Sequence, residues 1–467
     1  MTAKTTFALY FGNRGFFPSS LIRSAREEIV RVLKEMGHET LLLEESATPY
    51  GAVETAEQGR TYARFLEANR GRFGGIILSL PNFGDENGAA VALKDAGVPI
   101  LIQAYPDELD KLGPRSRRDS FCGKISIMDV FKQFGIPFTI LKPHTVHPLS
   151  PVFRGNIDEF DRLCRVVQGM KNMVVGSIGA RTTPFKTVRV DELALQAKGI
   201  TVETVDMSDV FARMDKLDAA GARARDKVAQ LRAAANWTSA PEEALLNLAR
   251  LGVVLDQLTE ELSLDAMALR CWTELQQRYG VSPCVVTGEL ADHDIPVACE
   301  VDVANAVTMY AIGRASGQPA AILDWNNNYG DEENKCILFH CGNVPKSLMA
   351  GQGTITDHLI LQSTVGKGRG FGCSIGRIRP MSFTYGGMMT EKGEMNFYLG
   401  EGNITEDTFS RDFFGCAGVA EIEHLQDVLY WIGRSGHRHH VSLTPGNVKA
   451  PLVEAFRTYL GYQVTAF

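Results

Sequence analysis

The chain lacks any long apolar run. No window of its 467 residues approaches the ~18 apolar residues of a membrane span, and the opening MTAKTTFALYFGNRG has no signal-peptide architecture. No membrane partner is therefore expected, and the expected location is cytoplasmic. Clustered Lys and Arg are lacking too: with a net charge of -7 and no basic stripe, nucleic acid drops out as a partner. The nearest approach, Arg115-Ser116-Arg117-Arg118, reads either as a solvated loop or as a holder for an anionic group of a substrate. No C-x-x-C pair occurs among the nine cysteines, so a thiolate zinc site is not expected. Their odd count, and positions inside apolar runs such as KCILFHC, favour reduced thiols over a disulfide framework. The Gly-rich turns GNRGFFPSS and LPNFGDENG match neither a P-loop nor G-x-G-x-x-G, so nucleotide binding has no specific support.

What is present is the composition of a globular protein, 45% hydrophobic and 22% charged, on a chain long enough for about two to four domains. FALYFGN opens an alternation of short β-rich runs with helical stretches, and further strands are predicted at 38–44, 74–80, 98–104 and 136–141. Between them, SSLIRSAREEIVRVLKEMG puts Ile22, Ile29, Val30, Val32 and Leu33 on one apolar face, with Gly37 as a stop. This alternation predicts a doubly wound, flavodoxin-like parallel sheet over residues 1–168. Its Gly-rich turns lie beyond the carboxyl ends of strands, where such sheets bind ligands, although simple tight connections would look the same. A second α/β domain is expected over 169–325, with a strand, loop, helix and strand at 173–210 and a long helical region over 211–280. There Ser239 or Thr238 would cap a helix ahead of Pro241. Over 326–467, short β-like runs separated by Gly predict a mostly antiparallel β domain closed by a C-terminal helix, VKAPLVEAFRTYLG. The fold class is α/β: two doubly wound parallel-sheet domains followed by an antiparallel β domain.

The segment IPVACEVDVANAVTMYAIG reads as a strand ending at Glu300 and a helix from about 303 to 315. A second strand at 319–325 ends at Asp324, and parallel pairing of the two would set both carboxylates at one sheet edge. An unpaired buried carboxylate costs several kcal/mol, so the pair needs a cation, a shared proton, or a surface Lys or Arg for each acid. His340 follows Asp324 by 16 residues, and His437, His439 and His440 crowd into GRSGHRHHVSLTPG. Alternation would send His439 and His440 to opposite faces, so only one of them is expected in a given site. Two carboxylates and an imidazole suit Mn²⁺, Mg²⁺, Co²⁺ or Fe²⁺ with positions left open for water and substrate oxygens. Asp302, at the start of the helix, reads as an N-terminal cap. Trp325, Asn326, Asn327 and Asn328 form either a polar, aromatic loop suited to a sugar or a turn into the next domain.

ACEVDVANAVTMYAIG together with ILDWNNN resembles the metal-site segment of the L-fucose isomerase and L-arabinose isomerase family. Residues 117–139, 179–211 and 436–446 resemble the same family. The resemblance implies a Mn²⁺-dependent aldose–ketose isomerase that acts on a monosaccharide through a cis-enediol(ate). It makes Glu300 and Asp324 both metal ligands and acid–base residues, with His440 as the ligand histidine and His439 as its alternative. It puts His340 at or near the metal and, beside the loop of Trp325, Asn326 and Asn327, brings Arg14, Arg118 and Lys124 close to the site. The last three would come from a neighbouring subunit, because the family forms hexamers. The C-terminal β domain is shorter than in a full-length fucose isomerase, which leaves the pocket residues unassigned. The implied substrate is an L-fucose- or arabinose-like sugar or a sulfonated hexose such as sulfoquinovose; Arg-bearing loops at 115–118 and 181 would suit the anion. Two other classes fit the same acids: a non-catalytic sugar-binding or regulatory protein, and a metal-dependent aldolase or lyase.

Overall fold

The computed structural model describes residues 4–218, 220–410 and 412–467. They divide into two compact units, Met1–Gln168 with Glu454–Gly461, and Gly169–Val453 with Tyr462–Phe467. In the first, β1 (Phe7–Phe11), β2 (Thr40–Leu42), β3 (Gly75–Leu80) and β4 (Ile100–Ala104) form a parallel sheet in the order β2-β1-β3-β4. Strands β1, β3 and β4 are buried at every residue, as strands covered on both faces must be. The helix Ser20–Glu35 buries Ile22, Ile29, Val32 and Leu33 on the expected face, and the chain leaves it through Gly37 at φ 82°. The strand expected at 136–141 shrinks to one bridge, Leu101 to Thr139. Pro137 has no N–H to give, and only Thr139 exchanges backbone bonds with its neighbour, at Ile100 and Ile102.

The second unit begins with β5 (Val174–Ile178), β6 (Thr201–Val205), β7 (Ala235–Asn236), β8 (Ala266–Leu269) and β9 (Val297–Ala298). Four of these form another parallel sheet, β6-β5-β8-β9. β8 interrupts the stretch expected to be helical over 211–280. Its sequence AMAL is made of helix formers, and burial on both faces removes the alternation that marks a strand; tertiary context overrides propensity here. The helix Glu242–Leu262 is capped by the extended backbone of Pro241, with no side-chain cap from Ser239 or Thr238.

Nine further strands follow: β10 (Ala321–Asn328), β11 (Lys335–His340), β12 (Gly353–Thr356), β13 (Cys373–Arg377), β14 (Met381–Glu391), β15 (Glu394–Ile404), β16 (Cys416–Glu421), β17 (His440–Pro445) and β18 (Gln463–Ala466). With β7 they make a mostly antiparallel sheet, and pairing of β15 with β16 closes β15-β14-β17-β10-β11-β16 into an antiparallel ring. Leu323, Leu338, Phe383, Tyr385, Val441 and Leu443 belong to its core. The sequence reading missed β16, the helix Leu425–Ser435 and β18. The expected C-terminal helix is Lys449–Glu454, continued by a wider π-helical turn over Ala455–Leu460.

One expectation fails outright. Residues 295–325 are not a parallel strand–helix–strand unit: β9 pairs with β8 in the parallel sheet, whereas β10 runs antiparallel to β11 and β17 in the ring. The helix Val303–Ser316 passes from one to the other and packs on both. A strand of two residues carries too little pattern to reveal which sheet it joins. Among the described residues no helix is long and apolar enough to cross a membrane, and all nine cysteines are free.

Candidate active site

β9 stops at Ala298, and Cys299–Val301 turns tightly with Glu300 at φ 57° and Val301 at φ 62°. A left-handed β-branched residue is a true outlier, costing about 1–2 kcal/mol. The turn changes strand into helix within four residues and sends the Glu300 side chain into a cavity of about 300 Å³. Such local strain is most often retained where it positions a functional group. Asp324 reaches the same cavity from β10, and His440, the first residue of β17, sits directly opposite it in register. Their neighbours Leu323 and Val441 point into the ring core, so Asp324 and His440 point out of it. The route differs from the expected shared sheet edge, but the two carboxylates still meet.

His440 Nε2 lies 3.6 Å from Glu300 Oε2 and 3.6 Å from Asp324 Oδ1, and His340 Nε2 lies 3.6 Å from Glu300 Oε2. These separations are too long for hydrogen bonds. Glu300 Oε2 and Asp324 Oδ1 are buried atoms with no hydrogen-bond partner. Two orphaned carboxylate oxygens facing one imidazole nitrogen form a donor set that fits a hard divalent ion with bonds of about 2.1 Å. Two groups of donors close enough to hold an ion meet here, Glu300–His340–His440 and Asp324–His439–His440.

The hydrogen bonds around the two buried histidines set opposite roles. His440 Nδ1 is 2.8 Å from Asp302 Oδ2, an acceptor-only carboxylate, so the ring proton of neutral His440 is assigned to Nδ1 and the Nε2 lone pair faces Glu300 and Asp324. His340 Nδ1 instead accepts the Cys341 backbone N–H at 3.0 Å, which assigns the proton of its neutral ring to Nε2, pointing at Glu300. Burial would raise the Glu300 carboxyl, but His340 and then His440 outweigh it and hold it at about 2. Burial opposes the imidazolium of His440, and Asp302 outweighs that, so His440 sits above the ordinary range. A proton and a cation are alternatives for its Nε2. Asp302 was expected only to cap a helix. It does accept from Asn305 N at 3.1 Å, but it is fully buried and also holds Asn305 Nδ2, His440 and the Arg438 guanidinium. Burial raises its carboxyl, and Arg438 and then His440 more than reverse this, leaving it well below the usual range.

His439 Nε2 is 3.7 Å from Asp324 Oδ1, with a half-exposed side chain. The alternation argument that would send it away does not apply, because it precedes β17. Trp325, Asn326 and Asn327 are not brought to Glu300. Trp325 points the other way from Asp324 and puts its Nε1–H 3.4 Å from Tyr398 Oη, while a bulge between Trp325 and Asn327 turns the asparagines toward a separate cavity. In the first unit, Arg14 bonds Gly84 O and Glu86, and Arg118 bonds Pro81 O and Glu108. Lys124 is buried there, donating to His144 O at 2.8 Å. Phe185, Cys271 and Trp272 line the cavity and escaped the sequence reading. Cys271 and Trp272 come two and three residues after β8, so detecting that strand would have flagged them as residues near a sheet's carboxyl edge.

Residues 8–171 match the fucose/sulfoquinovose isomerase N-terminal domain, and residues 338–467 match the L-fucose isomerase C-terminal domain. The chain belongs to the fucose isomerase-like family. It is accordingly an aldose–ketose isomerase. Sulfoquinovose isomerase of Priestia megaterium (strain ATCC 12872 / QMB1551) is 21% identical over 401 residues, 84% of this chain and 86% of the relative. That of Alkalicoccus urumqiensis is 23% identical over 58% of this chain and 60% of its own length. That of Clostridium sp. (strain MSTE9) is 24% identical over 50% and 52%.

Proposed function

We propose that the protein is a metal-dependent isomerase of a sulfonated aldose of the sulfoquinovose kind, with Glu300, Asp324 and His440 holding Mn²⁺ or a similar hard ion. One observation carries the metal reading: Glu300 Oε2 and Asp324 Oδ1 are buried without a hydrogen-bond partner, each 3.6 Å from His440 Nε2. The four similar proteins, all sulfoquinovose isomerases, support the substrate class. Hexameric assembly, implied by the family resemblance, and the cytoplasmic location expected from the sequence belong to the same reading.

When bound, the ion would supply Lewis acidity and positive charge at the oxygens of C1 and C2. Glu300 and Asp324 are the acid–base pair: one removes the C2 proton, and the other serves proton exchange at oxygen, so that C1 ends with the hydrogen C2 has lost. Asp302, anchored by Arg438, fixes the His440 ring. His340 points its Nε2–H toward Glu300 Oε2 and favours the ionised carboxylate. Phe185 and Trp272, ring centroids 5.5 Å apart and edge to face, present apolar surface to a sugar.

The test is a panel of neutral aldoses and sulfoquinovose, assayed with metal-stripped and Mn²⁺-reloaded protein. The expected result is turnover of sulfoquinovose to one ketose, lost on stripping and restored on reloading. Undiminished turnover after stripping would overturn the metal reading. Preference for a neutral aldose would overturn the substrate, and two smaller carbonyl products would replace isomerisation with cleavage.

A further inference from the structure

The cavity wall holds two thiols that this chemistry does not use. Cys271 follows β8 and Cys299 follows β9, so the parallel pairing of these strands brings residues 28 apart to one sheet edge, which no short C-x-x-C spacing would announce. The two Sγ atoms and a Glu300 carboxylate oxygen all lie within 4.8 Å of one another, and all three residues are buried. Cys271 Sγ is 3.5 Å from Glu300 Oε1. The sulfur–oxygen edge of a zinc tetrahedron is about 3.6 Å, given a Zn–S bond of about 2.3 Å and a Zn–O bond of about 2.1 Å. Both thiols are free and line the cavity that Glu300 enters.

We propose that Cys271, Cys299 and Glu300 form a second cation site, selective for a soft ion of the zinc or cadmium class. Its thiolates suit such ions, whereas the carboxylate and imidazole set beside it suits hard ones. Each thiol passes its proton to solvent as its sulfur bonds the ion. Glu300 is shared between the two sets: Oε1 faces Cys271 and Trp272, and Oε2 faces the imidazoles. A soft ion on the thiols therefore ties up the carboxylate that the isomerase reading needs, which makes the site inhibitory. A second thiol pair, Cys284 and Cys373 with Sγ atoms 3.9 Å apart, has no third His, Cys, Asp or Glu donor gathered with it among the described residues. It serves as the internal control.

The experiment titrates Cd²⁺ into the reduced, metal-stripped 467-residue chain and follows the ultraviolet thiolate-to-cadmium charge-transfer band. This readout needs no substrate and is independent of whether the protein isomerises any sugar. One equivalent should develop the band in the wild type and in C284S/C373S. Single C271S and C299S variants, checked for fold by circular dichroism, should bind about tenfold more weakly or worse, and C271S/C299S should show no band. E300Q should retain the band at lower affinity. Absence of the band in the wild type, its persistence in C271S/C299S, or its loss only in C284S/C373S would each overturn the proposal.

Discussion

Both parallel sheets place their strands in the order second, first, third, fourth, as β2-β1-β3-β4 and as β6-β5-β8-β9, and they part company at the fourth strand. β4 pairs five residues with β3, whereas β9 pairs only two with β8. At the carboxyl edge of the first sheet, polar groups satisfy one another: Asn82 Nδ2 donates to Asn13 Oδ1 at 2.7 Å, and Asn13 Nδ2 donates to Glu54 Oε2 at 2.9 Å. Asn82 Oδ1 accepts from the backbone of Arg14 and Gly84. At the second, the early break after Ala298 leaves Glu300 Oε2 buried and unpaired. Open α/β sheets bind ligands beyond the carboxyl ends of their strands. The acid after the fourth strand differs accordingly: Asp107, beyond β4, accepts from Phe121 N at 3.0 Å, whereas Glu300 Oε2, beyond β9, has no hydrogen-bond partner.

The largest expected effect tests that contrast directly. Glu300→Gln keeps the shape of the turn and should lower kcat by ~10² to 10⁴ with an unchanged circular dichroism spectrum. The corresponding disturbance in the first sheet, Asn82→Ala, should cost about 1–3 kcal/mol of stability in urea denaturation and leave Mn²⁺ affinity intact. Near-normal turnover of the Glu300 variant would remove it from the chemistry and reduce the contrast to packing. Next in size are the histidine supports. Asp302→Asn should weaken Mn²⁺ binding about 10- to 100-fold by calorimetry and His440→Ala by more, while His437→Ala should change it little. The reverse ranking would assign the ligand lone pair to the wrong ring.

The first sheet was readable because three of its strands run five or six residues, and the helix between its first two strands has a clear apolar face. Glu300, Asp324 and His440 were readable as residue types around an apolar strand, but not as a geometry. β9 is two residues long, so the partner of its acid is chosen by the ring that β10 and β17 build from distant segments. Asp302 carried the correct signal for a cap and hid a second role, because Arg438 and His440 are 136 and 138 residues away. Likewise, Cys271 and Trp272 follow a strand, AMAL, written entirely in helix formers.

Lys124 sharpens the comparison from the other side. It is 2% exposed in the first unit, and burial lowers its ammonium from 10.5 to about 8. Between these values the unfolded chain holds a proton that the folded one has released, so stability should rise with pH from about 8 to 10.5, by at most ~1.4 kcal/mol per pH unit. Urea midpoints measured across this range should rise in the wild type relative to Lys124→Met. Parallel curves would mean that the ammonium keeps its charge in the folded state.

The smallest effect concerns the helices that lead into a strand of each sheet. Glu86–Leu93, which leads to β4, is capped by Asp85, whose carboxylate accepts from Gly88 N at 2.7 Å. Glu242–Leu262, which leads to β8, starts on Pro241 with Glu242 and Glu243 in its first turn, and relies on the helix dipole rather than a side-chain cap. Asp85→Ala should therefore cost about 1 kcal/mol, whereas Thr238→Ala and Ser239→Ala should each stay within about 0.5 kcal/mol in thermal or urea denaturation. A loss at Thr238 or Ser239 equal to that at Asp85 would show that the second helix gains a cap in solution, and that the two sheets are entered in the same way after all.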